Sequence, residues 1–494
     1  MTSSTVVLAV SALYLVLSLV VGMWPSDKSS DSAEGFVAGD RSLGLVVMYF
    51  ITGATIFSSF AFLGGPGFAY SKGAGVFYIL GYGALGFVPF YFLGPRAARV
   101  GRKYGFVTQA EMVAHRFRSP TLAILMAVVS VIAFVPYLAI QMQGAGLVLE
   151  VVTRGALPMW AGALIVYLVV LAYVLKSGVL GVGWTNTLQG AFMLVLAWGL
   201  GLYLPNQLYG GVGPMFERIA REVPDHLIAP GPGWTWGQYS AAVIVSIAGF
   251  AMWPHLFMKA FSAKDERTLR RTVVLYPTFQ LFLVPLFFIG FAGVLFSSAP
   301  ARPDQILPHM LMNMDLPSVV VGLFCAGALA ASMSSGDAMA HAAASIVIRD
   351  GYVQARGEPL GAHRERFLIR VVVVVMMVVS YLVALLAHQQ GISLVKLLLS
   401  AYGAVVQFAP VVVATLYLRR VAAPALIAGL LVGSLVTVIF VVWPEKMPLV
   451  LHAGLYGLVA NLLVVAALAR WGDRGPAEHH EAFLTTAAGG AVDE

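Results

Sequence analysis

Charge is what this sequence lacks. Asp, Glu, Lys and Arg make up 11% of its 494 residues, against roughly 25% in a soluble domain. Hydrophobic residues make up 59%, more apolar surface than a soluble core of ordinary geometry needs. Cysteine is almost absent. Cys325 stands alone, which excludes an intrachain disulfide and leaves the redox compartment unread. The first apolar run, TVVLAVSALYLVLSLVVGMW, has no basic residue before it and no small-x-small cleavage site. It therefore reads as a retained span rather than a signal peptide.

What the chain has is a succession of long apolar runs. A bilayer core takes about 20 apolar residues in helical form, and about thirteen such runs occur between residues 5 and 469. The composition predicts an all-α integral membrane protein with one transmembrane domain over 1–470. The polar stretch 471–494 is expected to be a disordered cytoplasmic tail, and its EHHE reads as solvated side chains rather than a metal motif.

The basic residues decide the direction. With the N-terminus outside, only Lys72, Arg154, Arg218, Arg221, Arg302, Lys396 and Lys446 fall on the outer side, and the other 23 of 30 fall inside. Cytoplasmic loops are enriched in Lys and Arg, so the expected protein is multi-pass in the cell membrane, N-terminus out and C-terminus in. The net charge of +7 then belongs to loops facing membrane lipid, and nucleic acid is not an expected partner.

Two runs carry breaks. The second, about 44–70, has Gly53, Thr55, Ser58 and Ser59 mid-helix and then Gly64-Gly65-Pro66-Gly67. The seventh, about 238–258, has Gly249 and then Trp253-Pro254-His255. Freed carbonyls at membrane depth are tolerated only where protein or a cavity meets them. Breaks in register in two halves point to a transporter built of inverted repeats, here about 44–204 and 238–417.

The ninth run, about 317–348, contains ASMSSGDAMAH. At 3.6 residues per turn, Ser334, Asp337, His341 and Ser345 fall along one stripe, with Ser335 beside it. The stripe must face inward, since polar groups facing lipid cost several kcal/mol each. Hydroxyls at 334 and 335, with carbonyls freed near Ala54 and Phe57, make a neutral oxygen set suited to a monovalent cation. Two alternatives stand beside this: serines that only bond helices together, and a proton relay through Asp337 and His341. Ser335, Asp337 and His341 are also the residue types of a hydrolase triad, but on one helix they cannot form its bent relay, so an enzyme is not expected. A sensor is not expected either, because only about 24 residues follow the last span.

Several blocks resemble the sodium:solute symporter family. EGFVAGDRSLG, GATIFSSFAFLGGPGFAY, VPYLAIQMQGAG, GWTNTLQG, MWPHLFMKAFSAKD and ASMSSGDAMAHAAASIVIRD follow in the family's order, and the likeness covers about residues 5 to 470. The resemblance implies a LeuT-type core of five plus five inverted helices and sodium-driven uptake by alternating access. It implies Na+ on the carbonyls of Ala54, Phe57 and Ala331 and the hydroxyls of Ser334 and Ser335. One departure is Asn186 in GWTNTLQG, where many members carry an Asp linked to a second sodium site or an exit route.

Solute is expected at the midplane beside both breaks. The candidates are Ser58, Ser59, Phe60, Gln141, Gln143, His255, Tyr402 and Gln407. Half-helix ends and amides suit a small solute with a carboxylate. GGPGFAYSKG and VTQAEMVAHRF look most like the pantothenate and monocarboxylate branches of the family. The expected function is sodium-coupled import of a small organic anion. Proton coupling through Asp337, or an amino acid or sugar as solute, are the alternatives.

Overall fold

A computed structural model describes residues 4–23, 41–469 and 476–490, with the side chains of 177–181 excepted. Parts of the EGFVAGDRSLG block and of the tail lie outside these residues. The described chain is helical throughout, and its one bridge of β type joins Leu43 to Ala263.

Nine helices among the described residues are long and apolar enough to cross a membrane, or eleven if two bent pairs each count as one span. Two of the thirteen expected runs fall short. The third divides at residues 86–89 into Phe77–Leu85 and Phe90–Tyr104, and the latter carries Arg96, Arg99, Arg102 and Lys103. The last forms Ala453–Leu468, 16 residues, about 24 Å at 1.5 Å per residue against a core of about 30 Å.

In chain order the helices used below are α1 (Ser4–Met23), α2 (Leu45–Ile56), α3 (Gly65–Lys72), α4 (Phe77–Leu85), α5 (Phe90–Tyr104), α6 (Gln109–Phe117), α7 (Pro120–Val152), α8 (Met159–Tyr209) and α9 (Trp236–Phe250). After them come α10 (Glu266–Gln280), α11 (Leu283–Gly293), α12 (Ser318–Ile346), α13 (Ala362–Gln389), α14 (Leu394–Val405), α15 (Phe408–Tyr417), α16 (Ala423–Val442), α17 (Ala453–Leu468) and α18 (Ala477–Ala488).

Both predicted breaks are present. The span starting with α2 bends by 58°, and the span from α9 into Pro254–Ser262 bends by 44°. In the first, the interruption falls at Phe57 and Ser58, upstream of Pro66. A π-turn, Phe60–Gly64, then runs directly into α3, which carries Pro66.

Helix α12 runs through the middle, packed on α7, α8 and α1. Its Ala, Gly and Ser residues allow this, because small side chains let helix backbones approach closely. At Gly336 an added Cβ would collide with the Tyr167 hydroxyl of α8. On one face of the bundle, Arg349 pairs with Glu111 at 2.5 Å and Glu365 at 3.0 Å. Thr108 donates to Asp350 at 2.6 Å and also caps α6 in a box with Glu111.

The tail differs from expectation. Residues 477–488 form α18, with Phe483 and Ala487 buried. Phe483 stacks on Tyr104 at 6.1 Å and 8°. An apolar residue every fourth position, Phe483 and Ala487, gives this polar stretch a face to bury, which its composition does not reveal.

Candidate ion and solute site

The end of α2 exposes carbonyls, since the last helical C=O groups have no intrahelical partner. Two hydroxyls of α12 meet them. Ser334 Oγ donates to the Ala54 carbonyl at 3.0 Å and lies 3.2 Å from the Ala331 carbonyl. Ser335 Oγ donates to the Thr55 carbonyl at 2.7 Å. The Ser334 hydroxyl thus lies between the carbonyls of Ala54 and Ala331, and Ser335 meets the next carbonyl of α2. Phe57, at the break, has φ −79° and ψ 81°, so its carbonyl leaves the helix axis. Thr55 is an oxygen carrier that sequence reasoning had not assigned to this set.

Asn186 of α8 closes the site. Its Nδ2 donates to the Ser334 carbonyl at 3.0 Å and to Thr55 Oγ1 at 3.3 Å. Its Oδ1 is buried without a partner. The amide thus leaves a neutral oxygen where an acid would bring a charge.

Further along the stripe, Asp337 is buried and accepts from the Tyr173 hydroxyl at 2.8 Å and from Thr185 at 3.5 Å. Its Oδ1 has no partner. Ser345 donates back to the His341 carbonyl at 2.9 Å. The stripe faces inward as its period requires. Ser332, on the other side of α12, donates to the Gln141 carbonyl at 2.7 Å and meets the Tyr167 hydroxyl at 3.1 Å.

A narrow central cavity of about 20 Å³ lies between the two broken spans. Of the eight solute candidates, Phe60 and Tyr402 line it. Ser59 and Gln141 instead hold the break, with the Ser59 N–H donating to Gln141 Oε1 at 2.9 Å. Ser58 lies in the same break, where its Oγ accepts from the Phe60 N–H at 3.2 Å. Gln143 donates to the Ile392 carbonyl at 3.4 Å. Gln407 is committed elsewhere: its amide binds the carbonyls of Gly403 and Gly454 and the Thr437 hydroxyl, and it accepts from Asn461. That amide joins α14 and α15 to α16 and α17, and Gln407 does not line the central cavity. His255 lines a second cavity, described below.

The central cavity also takes Tyr82 from α4, Tyr137 from α7 and Gln280 from α10, three residues missed from the sequence. A lone Gln in the apolar run LYPTFQLFLVP was a usable signal. The aromatic residues carried none, because aromatics are frequent throughout the chain.

The family model for "Sodium:solute symporter family" matches residues 36–433. The chain belongs to the sodium:solute symporter family. Among relatives, it is 27% identical over 470 residues to the uncharacterised symporter YhjB of Bacillus subtilis, covering 92% of this chain and 94% of that one. It is 26% identical over 360 residues to the sodium/pantothenate symporter of Haemophilus influenzae, covering 70% and 72%. Among solved structures, a Na+-coupled sialic acid symporter in its substrate-bound outward-open state superposes with a TM-score of 0.79 at 19% identity, over 94% of this chain and 97% of that one. The fold of this symporter is therefore LeuT-like, and the chain is a multi-pass membrane transporter.

Proposed function

We propose that this symporter couples the inward movement of Na+ to the import of a small organic anion, by alternating access about its two broken spans. The observation that carries the reading is the contact of Ser334 with the freed Ala54 carbonyl at 3.0 Å. Na+ is assigned to the carbonyls of Ala54, Phe57 and Ala331 and the hydroxyls of Ser334 and Ser335. These are neutral oxygens, which suit an ion that must bind and leave. The solute is assigned to the central cavity, with Tyr402, Phe60, Tyr137, Tyr82 and Gln280 around it. Its uncharged lining among the described residues and the pantothenate-carrying relative favour a solute whose carboxylate is held by dipoles. The chain is read as lying in the cell membrane with its N-terminus outside and its C-terminus in the cytoplasm. The two inverted repeats are read as about 44–204 and 238–417.

A second reading is proton coupling through Asp337, favoured by its buried and unpartnered Oδ1. Proteoliposomes given labelled pantothenate, propionate, pyruvate, proline and glucose, with and without a sodium gradient, test both. Sodium-driven uptake of one or more of the acids is the expected result. Uptake of proline or glucose alone would overturn the solute assignment, and indifference to sodium would overturn the coupling.

A further inference from the structure

A second narrow cavity, also of about 20 Å³, lies past the break in the seventh span. Lys259, His255, His341 and Ser262 contribute its polar lining. It is separate from the central cavity but close to it. Tyr137, which lines the central cavity, has its ring centroid 6.1 Å from that of His255. Trp253 stands beside both, 4.8 Å from Tyr137 and 5.6 Å from His255. The central cavity has no charged side chain among the described residues, and the second has a lysine.

Lys259 is 5% exposed. A lysine is almost never this buried unless paired. The acid whose field reaches it is Asp337, yet no described acid lies within ion-pair distance of its ammonium. Asp337 is turned instead to Tyr173 and Thr185 of α8. His255 is 3% exposed, and both its ring nitrogens lack a hydrogen-bond partner. A largely buried lysine with no carboxylate at ion-pair distance and an unsatisfied buried imidazole are both costly. Facing one small cavity, they are satisfied together by one anionic group with two oxygens.

We propose that this cavity is a carboxylate-binding station on the solute's route out of the central cavity, with Lys259 supplying the charge and His255 a directional hydrogen bond. The proposal rests on the reading of the solute as a small organic anion. Ser262, one of its lining residues, also meets the bridge at Leu43, whose N–H donates to the Ser262 carbonyl at 3.2 Å and whose carbonyl accepts from the Lys264 N–H at 3.0 Å. In this proposal, parting that bridge opens the station to the side read as cytoplasmic. The solute thus passes from a neutral cavity to a cationic one before release, which gives the exit its direction.

The test needs no knowledge of the solute. Ser262→Cys in a Cys325→Ala background places a thiol in the cavity wall. Inside-out vesicles in sodium-free buffer are treated with sulfonatoethyl or trimethylammonioethyl methanethiosulfonate, reagents of opposite charge. The anionic reagent is expected to react about tenfold or more faster relative to the free-thiol rates, the scale of one charge-assisted contact. Lys259→Met should remove that bias and Lys259→Arg should keep it. Pantothenate and propionate should each slow the anionic reagent. Equal rates, faster reaction of the cationic reagent, or no reaction with either would overturn the station. If the bias is present but no organic acid is carried in the uptake panel, the solute assignment fails and the anion-selective cavity stands. If acids are carried without the bias, the station fails and the solute assignment stands.

Discussion

The Ser334 hydroxyl donates to the Ala54 carbonyl across 3.0 Å, joining residues 280 apart in sequence. A serine on an unbroken helix would return this bond to its own backbone. Here it reaches a carbonyl that the break in α2 has left without a helical partner. Ser334 keeps only a longer contact, 3.2 Å, to the Ala331 carbonyl of its own helix.

Ser334→Ala and Ser335→Ala each remove one oxygen from the proposed ion shell. Loss of one buried polar contact costs about 1–3 kcal/mol, roughly 5- to 150-fold in affinity. The sodium concentration for half-maximal uptake should rise by about that factor in each. Solute affinity at saturating sodium should move much less, because linkage acts through sodium occupancy. Ser332→Ala should leave the sodium dependence alone and lower thermal stability instead, since its hydroxyl binds α7. Equal small effects in all three would reduce the serines to helix contacts.

Sodium and protons are separated by driving force. A sodium gradient at equal pH should drive uptake, and a pH gradient at equal sodium should not. Asp337→Asn should retain sodium-driven uptake at a reduced rate, because an amide still satisfies part of the Tyr173 contact. Uptake driven by pH and abolished in Asp337→Asn would transfer coupling to the carboxyl.

Packing behind the ion site is tight at Gly53. An added Cβ there would lie 2.5–2.6 Å from the Phe279 ring of α10. Overpacking of this kind costs about 1–3 kcal/mol. Gly53→Ala should lower the melting temperature and weaken sodium binding together, by shifting the turn that carries Ala54. A variant with unchanged melting and unchanged sodium dependence would show that Phe279 yields freely.

The docking of α18 should depend on pH. His479 Nε2 lies 2.8 Å from the His115 carbonyl, and the two rings are 5.0 Å apart. Burial first, then His479 and Arg118, push the His115 imidazole down to about 4. A released His115 titrates near its ordinary value, about 6.5. The docked state therefore binds fewer protons between these values. Its docking is fully favoured above pH 6.5 and is lost as pH falls toward 4. Amide-exchange protection of 477–488 should decline over that window, and His115→Phe should flatten the decline. Arg99 donates to Glu266 at 2.8 and 2.7 Å and to the Ala487 carbonyl at 2.8 Å, so Arg99→Gln should lower protection at every pH. Protection that is unchanged down to pH 4.5 would contradict the burial of His115.

Direction in the membrane is open to a simple check. Reporter fusions after Ser71 and within 210–235 should report the outside, and those within 100–115 and 355–362 the inside. A cytoplasmic signal from 210–235 would reverse the orientation read from the basic residues.

Solvent alone accounts for what the sequence determined by itself. Scarce charge and repeated apolar runs require a bilayer, and clustered mid-run Gly, Ser and Pro mark the two spans that break. A 3.6-residue period puts Ser334 and Asp337 on one inward stripe of α12, whatever lies opposite. The tertiary structure alone decided what does lie opposite. Ser335 reaches Thr55, Asn186 bridges both helices, and Gln407 serves a junction of α14 to α17 rather than the cavity. Tyr82, Tyr137 and Gln280 converge from three helices that no local pattern relates. Their convergence depends on rotation and spacing set by close contacts between distant segments, such as Gly144 against Ser59 and Gly336 against Tyr167. Hydropathy is a property of each residue with its solvent, so it is legible along the chain. Helix rotation is a property of pairs of surfaces in contact, and only the folded chain brings those pairs together.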